Sequence, residues 1–285
     1  MTASRKSGLE NKVVVITGAG SGIGRELARG AAAQGALLAI SDWSEQGLSE
    51  TVDLLKAADV RELRSDLVDV SDRAAMREWA TAVAEQFGRV NVVINNAGVA
   101  LAGDFNDLEY ADIDWLVGIN FWGVVHGTKE FLPHLIASGD GHVVNLSSLF
   151  GLVSMPGQSM YNATKYAVRG MTEALREEML IAGHPVGVTA VHPGGIKTAI
   201  ARNARVSAKE SKEETASLFD EKLARMTPER AAEIIVNGIL KNRARVLVGI
   251  DAHAVHHLAK LLGSRYQDVV ARTSKRVLPD KATIV

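Results

Sequence analysis

At 285 residues the chain is long enough for one large α/β domain with a substantial core, and short for two. Its 32 lysines and arginines nearly balance 33 aspartates and glutamates, for a net charge of −1, so nothing in the charge points to a nucleic-acid or anionic-membrane partner. No cysteine is present, which excludes disulfides, thiolate nucleophiles and zinc–thiolate sites. Residues 1–12 are polar and lack the apolar stretch of a signal peptide. No run approaches the ~18–20 apolar residues that cross a bilayer, so a soluble cytoplasmic protein without a transmembrane segment is expected.

Short apolar runs alternate with longer amphipathic ones. Residues 13–17 form a β-branched run ending in glycines, 22–34 read as a helix, 37–41 as a strand and 45–57 as a helix. A weaker strand over 60–65 precedes a helix over 71–87, capped by Ser71 or Asp72. Residues 90–94 suit a strand buried on both faces. The pattern then predicts a long helix over 110–136, a strand at 142–146, a helix from Tyr161 to about 181, and strands at 186–191 and 246–248. Seven strands alternating with helices imply an α/β fold, a parallel sheet with helices on both faces. With no repeat or low-complexity linker, 1–285 reads as a single domain, a core over 9–249 followed by a helical extension over 250–285.

The first turn, Thr17-Gly18-Ala19-Gly20-Ser21-Gly22-Ile23-Gly24, follows a strand and opens a helix, the context a phosphate-cradling loop requires. Glycine lets the backbone approach a pyrophosphate, whose charge the helix N-terminus favours. Gly18, Gly22 and Gly24 give a G-x-x-x-G-x-G arrangement, because Ile23 occupies the third position of the commoner G-x-G-x-x-G. Eighteen residues after Gly24, Asp42 closes the second strand, where a carboxylate can accept hydrogen bonds from an adenosine ribose. It would repel a 2′-phosphate, and the positions that could hold a countering cation carry Ser21 and Trp43. NAD is therefore favoured over NADP. Asp42 can also serve as a helix cap, and the two roles can coexist.

Tyr161 and Lys165 stand four residues apart, one turn along a helix. A free phenol ionises near pH ~10, and a nearby cation can lower that by roughly 1–3 units, into a range where proton exchange with an alcohol is accessible. Ser148 lies thirteen residues before Tyr161. A phenol–ammonium pair, an upstream hydroxyl and a glycine-rich turn together point to an enzyme.

These motifs, in this order, resemble the short-chain dehydrogenase/reductase family, in its branch with a TGxxxGxG turn, over about 9–249. Thr17 to Gly24 resembles the family's cofactor turn, and Asp69-Val70 its adenine-pocket dipeptide. Asn95-Asn96-Ala97-Gly98 is similar to the motif that steadies the central sheet, with Asn95, Ala97 and Gly98 near the cofactor. Pro193-Gly194 with Ile196 and Thr198 resembles the nicotinamide-side loop. The resemblance implies a Rossmann-type doubly wound sheet and an NAD-dependent oxidoreductase acting on an alcohol or ketone, assembled as a homotetramer or homodimer. Asn120, Ser148, Tyr161 and Lys165 correspond to its catalytic tetrad. Tyr161 is then the acid/base, and Lys165 lowers its pKa and binds the nicotinamide ribose. Ser148 donates to the developing alkoxide, and Asn120 holds a water that links Lys165 to solvent. Strand alternation sends Ser147 to the face opposite Ser148. An NADPH-dependent carbonyl or 3-ketoacyl reductase, or a non-catalytic NAD-binding regulatory protein, are the alternatives.

Substrate contacts are expected from Ser148, Tyr161, Phe150, Met155 and Gln158, with Leu149, Val153, Ile196 and Ile200 nearby. Such a lining suits a hydrophobic secondary alcohol. Arg202 or Arg205 could anchor an acid. His253, His256 and His257 read as part of a surface helix, not a metal site. Phe121 and Trp122 are expected in the core or at a subunit contact. Val255, Leu258, Leu261, Leu262, Tyr266, Val269 and Val270 form a helical stripe, expected to pack on the chain itself, with a subunit interface or a membrane surface as alternatives.

Overall fold

The structure is a computed structural model that describes residues 8–274. Nine strands occur among them: β1 (Val13–Thr17), β2 (Leu37–Asp42), β3 (Leu63–Leu67), β4 (Val92–Asn95), β5 (Leu101–Ala102), β6 (Gly141–Leu146), β7 (Val186–Pro193), β8 (Arg205–Val206) and β9 (Arg245–Val248). Seven form a parallel sheet in the order β3-β2-β1-β4-β6-β7-β9, and β5 pairs with β8 beside it. The helices are α1 (Gly22–Ala32), α2 (Glu45–Ala57), α3 (Arg73–Phe87), α4 (Tyr110–Val117), α5 (Gly123–Ala137), α6 (Ser159–Ile181), α7 (Lys212–Leu218), α8 (Pro228–Leu240), α9 (Ile250–Leu262) and α10 (Tyr266–Ser274). This is the expected Rossmann-type doubly wound sheet. Its strand order runs outward from β1 to β3 and then restarts at β4 on the other side of β1, so a crevice opens between the carboxyl ends of β1 and β4.

Each central strand is apolar on both faces because each face meets helices. Val14 and Ile16 of β1 pack with Leu27 of α1 and Ile235 of α8, whereas Val15 between them packs with Trp79 of α3 and Phe131 of α5. β4 and β6 repeat the alternation. Burying each large side chain contributes roughly 1.5–3 kcal/mol, and Trp79 and Phe131 add an edge-on ring contact at 5.4 Å. Among the described residues no helix is long and apolar enough to cross a membrane.

Several boundaries differ from the sequence expectation. The strand expected at 60–65 begins at Leu63, because Val60 still bonds back to the Leu55 carbonyl and Asp59 takes a left-handed φ of 53°. β7 extends past 191 to Pro193. The long helix expected over 110–136 is interrupted by one turn of π-helix, Gly118–Trp122, which carries Asn120. Gly123 follows at a close crossing, where a Cβ would lie 2.6 Å from a methyl of Val70. Asp72, not Ser71, caps α3, accepting from Ala74 and Ala75.

A buried polar ladder ties the sheet to α5 and α6. The Asn95 amide donates to Thr128 Oγ1 at 3.0 Å and to Asn145 Oδ1 at 2.8 Å, and Asn145 Nδ2 donates to Thr172 Oγ1 at 3.0 Å. Truncating Asn145 leaves the Asn95 amide short of an acceptor and the Thr172 hydroxyl short of a donor in the core. Asn145→Ala is therefore expected to cost about 2–4 kcal/mol in urea unfolding.

Candidate active site

The crevice is a cavity of about 2000 Å³. At its β1 end, Gly18 and Gly22 take left-handed φ angles of 67° and 53°. A Cβ on Gly24 would lie 2.1 Å from the Gly18 carbonyl oxygen, so only glycine lets the loop fold onto the helix start. The Asn96 side chain locks the turn by donating to the Thr17 and Gly18 carbonyls, both at 2.9 Å. Ser44, Asp72, Ser211 and Thr227 each cap the helix they precede with a side-chain hydrogen bond, but Ser21 gives α1 none. The first turn of α1 lines the cavity through Ser21, Gly22 and Ile23 with its amides uncapped by a side chain, a donor set that fits a pyrophosphate.

Asp42 lines the same end. Its carboxylate accepts the Gly20 amide at 2.8 Å and the Ser44 amide at 2.9 Å, so it braces the glycine turn as well as facing the cavity. The cap of α2 is Ser44 itself. Trp43, 82% exposed, Asp69 and Val70 form the adjoining wall. A dinucleotide is well matched here: uncapped helix amides, a carboxylate for a ribose and close-approach glycines occupy one continuous groove.

The other end gathers the expected chemical groups. Ser148, at the end of β6, and Tyr161 and Lys165 of α6 line the cavity, as do Ala97, Gly98, Pro193, Gly194, Ile196 and Thr198. Phe150, Met155 and Gln158 border it, with the Phe150 ring edge-on to Tyr161 at 6.2 Å. Ser147 also borders the cavity, and its hydroxyl donates to the Lys165 carbonyl at 2.8 Å, so the pair lies past the end of β6 without the separation onto opposite faces that strand alternation predicts. Three assigned residues lie outside the wall. Gly24 sits beneath the turn. Asn95 points into the core ladder, and its neighbour Asn96 meets the cavity instead. Asn120 is fully buried, its amide spent on both backbone groups of Val99 at 2.8 and 2.9 Å. Its side chain therefore braces the 98–99 segment rather than facing the cavity.

Lys165 is 4% exposed, and its ammonium donates to the Leu146 carbonyl at 3.2 Å and lies 5.6 Å from the Tyr161 ring centre. Burial pushes Lys165 down to about 8. Burial also pushes the Tyr161 phenol up to about 12, opposed by a hydrogen bond with Ser148. This corrects the expectation that the neighbouring ammonium sets the phenol's pKa: desolvation dominates, and the phenol is protonated at neutral pH.

Other groups were missed because their role depends on contacts across the sheet. His192, buried in β7, holds the Ser148 carbonyl through Nδ1 at 2.9 Å. Burial pushes it down to about 4, so the imidazole is neutral and can donate that hydrogen bond. Gly20 sits against Asp42: a Cβ there would lie 2.8 Å from the carboxylate, so a larger residue would displace that side chain. His256 is buried rather than on a surface helix, whereas His253 and His257 stack outside it at 6.4 Å. Trp122 is half exposed and stacks on His126. Arg205 is held by Asp112 and lies over the Trp115 ring, and Arg202 pairs with Asp220.

A family model described as short chain dehydrogenase matches residues 12–209. A Mycobacterium tuberculosis protein named as an oxidoreductase, SadH, is 55% identical over 273 residues, covering 96% of this chain and 99% of the relative. Dehydrogenase/reductase SDR family member 7B of Xenopus tropicalis is 35% identical over 246 residues, covering 84% of this chain and 78% of the relative. Among solved structures, a short chain dehydrogenase/reductase from Burkholderia phymatum in complex with NAD superimposes with a TM-score of 0.82 at 30% identity, covering 97% of this chain and 99% of that one.

The buried ammonium has a measurable signature. Lys165 falls from its ordinary 10.5 to about 8, so below pH 8 its charged form costs the fold roughly 3 kcal/mol, relieved as pH rises toward 10.5. Tyr161 is neutral in both states below pH ~10 and leaves that window to the lysine. The stability of the natural chain relative to Lys165→Met is expected to rise by about 2 kcal/mol between pH 8 and pH 10 in chemical denaturation.

Proposed function

The chain belongs to the short-chain dehydrogenase family and is an oxidoreductase, and from that premise we propose that it moves a hydride between NAD(H) and a hydrophobic secondary alcohol or its ketone. The observation that carries this reading is the convergence of the Tyr161 phenol, the Ser148 hydroxyl and the Lys165 ammonium on the cavity that begins at the uncapped start of α1. Bound NAD supplies the hydride acceptor or donor.

The chain's own groups handle the proton. Ser148 and Tyr161 hydrogen-bond the substrate oxygen, and Tyr161 gives it a proton in ketone reduction or takes one in alcohol oxidation. Ser148 stabilises the oxygen's developing negative charge, with its backbone held by His192. Lys165 favours the phenolate that each turnover passes through and reaches the nicotinamide ribose. Asn120 keeps Gly98 and Val99 against that ammonium, where a water could link it to solvent.

Asp42 supports NAD over NADP. Among the described residues, the lining at its end of the cavity, the turn from Gly18 to Ile23 apart from Ala19, Asp42 to Ser44, Gly47 and Val68 to Ser71, contains no lysine or arginine to meet a 2′-phosphate. Arg25 lies close by, but its guanidinium is spent on Thr51, Gly20, Gly47 and Glu50. At the other end Phe150, Met155, Ile200 and Leu218 give the lining an apolar character, which suits a lipophilic substrate. Half-exposed Trp122 on the π-turn is an aromatic anchor suited to a homo-oligomer contact.

The direct test is reduced-cofactor formation with a graded series of secondary alcohols. NAD⁺-dependent turnover that strengthens with apolar bulk is expected, and Tyr161→Phe should lose at least about a hundredfold in kcat. Turnover with NADP⁺ alone would overturn the cofactor assignment. Asp42→Asn removes the repelling charge and should raise the ratio of kcat/KM for NADP⁺ over NAD⁺ by about tenfold or more. Because the phenol is protonated at neutral pH, alcohol oxidation should rise with pH from neutral into the alkaline range, and ketone reduction should not.

A further inference from the structure

Beyond the span of the family match, the segment after β9 touches both loops that frame the reacting end of the cavity. At the start of α9, Asp251 Oδ2 accepts the Gly195 amide at 2.7 Å. A Cβ on Gly194 would lie 2.2 Å from that carboxylate, so the 193–195 loop and α9 are seated directly on each other. Farther along, Ala252, Val255 and Ala259 pack with Leu149, Phe150 and Val153, the residues that follow Ser148. At the start of α10 the Tyr266 hydroxyl accepts the Ser154 amide at 3.1 Å and joins the Ser154 and Tyr166 side chains in a hydroxyl cluster. Tyr166 follows Lys165 on α6. Val255, Thr273 and Ser274 complete the contact by lining the cavity.

We propose that α9 and α10 form the specificity-determining wall of the substrate end, and that Tyr266 is the residue that pins it in place. The 149–158 loop offers the Ser154 amide no helical partner, so an acceptor from outside the loop must satisfy it. Tyr266 supplies that acceptor from a ring seated in the Leu149–Val153–Ala252 apolar cluster. One side chain thus fixes the distance between α10 and the loop bearing Phe150 and Met155. That distance sets how much apolar bulk beyond the carbinol carbon the pocket accepts. The substrate class selected is a secondary alcohol with a long or bulky apolar arm. The substrate assignment rests on the hydride-transfer reading; the pinning does not.

The test is Tyr266→Phe, which keeps the ring and removes the hydroxyl. Two readouts are taken on the full chain, neither of which needs turnover. Amide hydrogen exchange at 149–158, with Ser154 foremost, should quicken by about three- to tenfold while β1 stays unchanged. Calorimetric dissociation constants for 2-hexanol and 2-decanol should show the preference for the longer alcohol shrinking by a similar factor. Unchanged exchange at Ser154 would overturn the pin. Faster exchange with an unchanged preference would overturn its role in selection. A natural chain that binds 2-decanol and discriminates through Tyr266, yet never reduces NAD⁺, would uphold the wall and sink the hydride-transfer reading instead.

Discussion

Two ionisable side chains buried side by side on one turn of α6 set the terms for the rest of the structure. An ammonium at 4% exposure must be hydrogen-bonded or it will shed its proton, and Lys165 answers both ways: it holds the Leu146 carbonyl and its pKa drops to about 8. The same low-dielectric surroundings keep the Tyr161 phenol protonated. Such a pair is costly as a structural element, and the fold retains it on the wall of a large cavity. The surrounding groups are arranged around that cost. Ser148 reaches the phenol, His192 holds Ser148, and Asn120 holds the segment that faces the ammonium.

The sheet explains how these groups meet. Parallel strands deliver every carboxyl end to one edge, and the change of direction at β1 and β4 leaves room there for a ligand. β1 contributes the glycine turn, β2 contributes Asp42, and β6 contributes Ser148. The Asn95–Asn145–Thr172 ladder lies just beneath and fixes β4, β6 and α6 relative to one another. The side-chain amide donors of Asn95 and Asn145 are paired, although Asn95 Oδ1 is buried without a partner, and such paired donors resist the register shifts that an all-apolar core tolerates. The ladder ties together the same strand and helix that carry Ser148, Tyr161 and Lys165 to the cavity.

Local sequence carried the pieces whose physics is local. Alternation of β-branched runs with amphipathic stretches revealed the seven main strands, since a buried parallel strand has little choice but to be apolar on both faces. The glycine turn was legible because its φ angles and close approaches admit no other residue, and the Tyr161–Lys165 spacing because a helix fixes it. What stayed hidden depends on contacts across the chain. Nothing near residue 95 says that its side chain turns inward while that of Asn96 turns out. The π-turn that carries Asn120 meets Val99, 21 residues away, through a hydrogen bond that no local pattern announces. Burial of the phenol, which reverses the expected direction of its pKa, is a property of the assembled cavity. The C-terminal stripe was visible as a helical pattern, but Leu258 and Leu261 of that stripe face outward, and the inward contacts come from Ala252, Val255, His256 and Tyr266.

Following the transferred hydrogen itself would decide the reaction. The protein is given NAD⁺ and a lipophilic secondary alcohol deuterated at the carbinol carbon, and the reduced nicotinamide is weighed by mass spectrometry. The expected result is one deuterium in the reduced cofactor for each ketone formed, with the hydroxyl proton released to solvent through Tyr161. Reduced cofactor without deuterium, or ketone formed with no reduced cofactor, would contradict hydride transfer at this site.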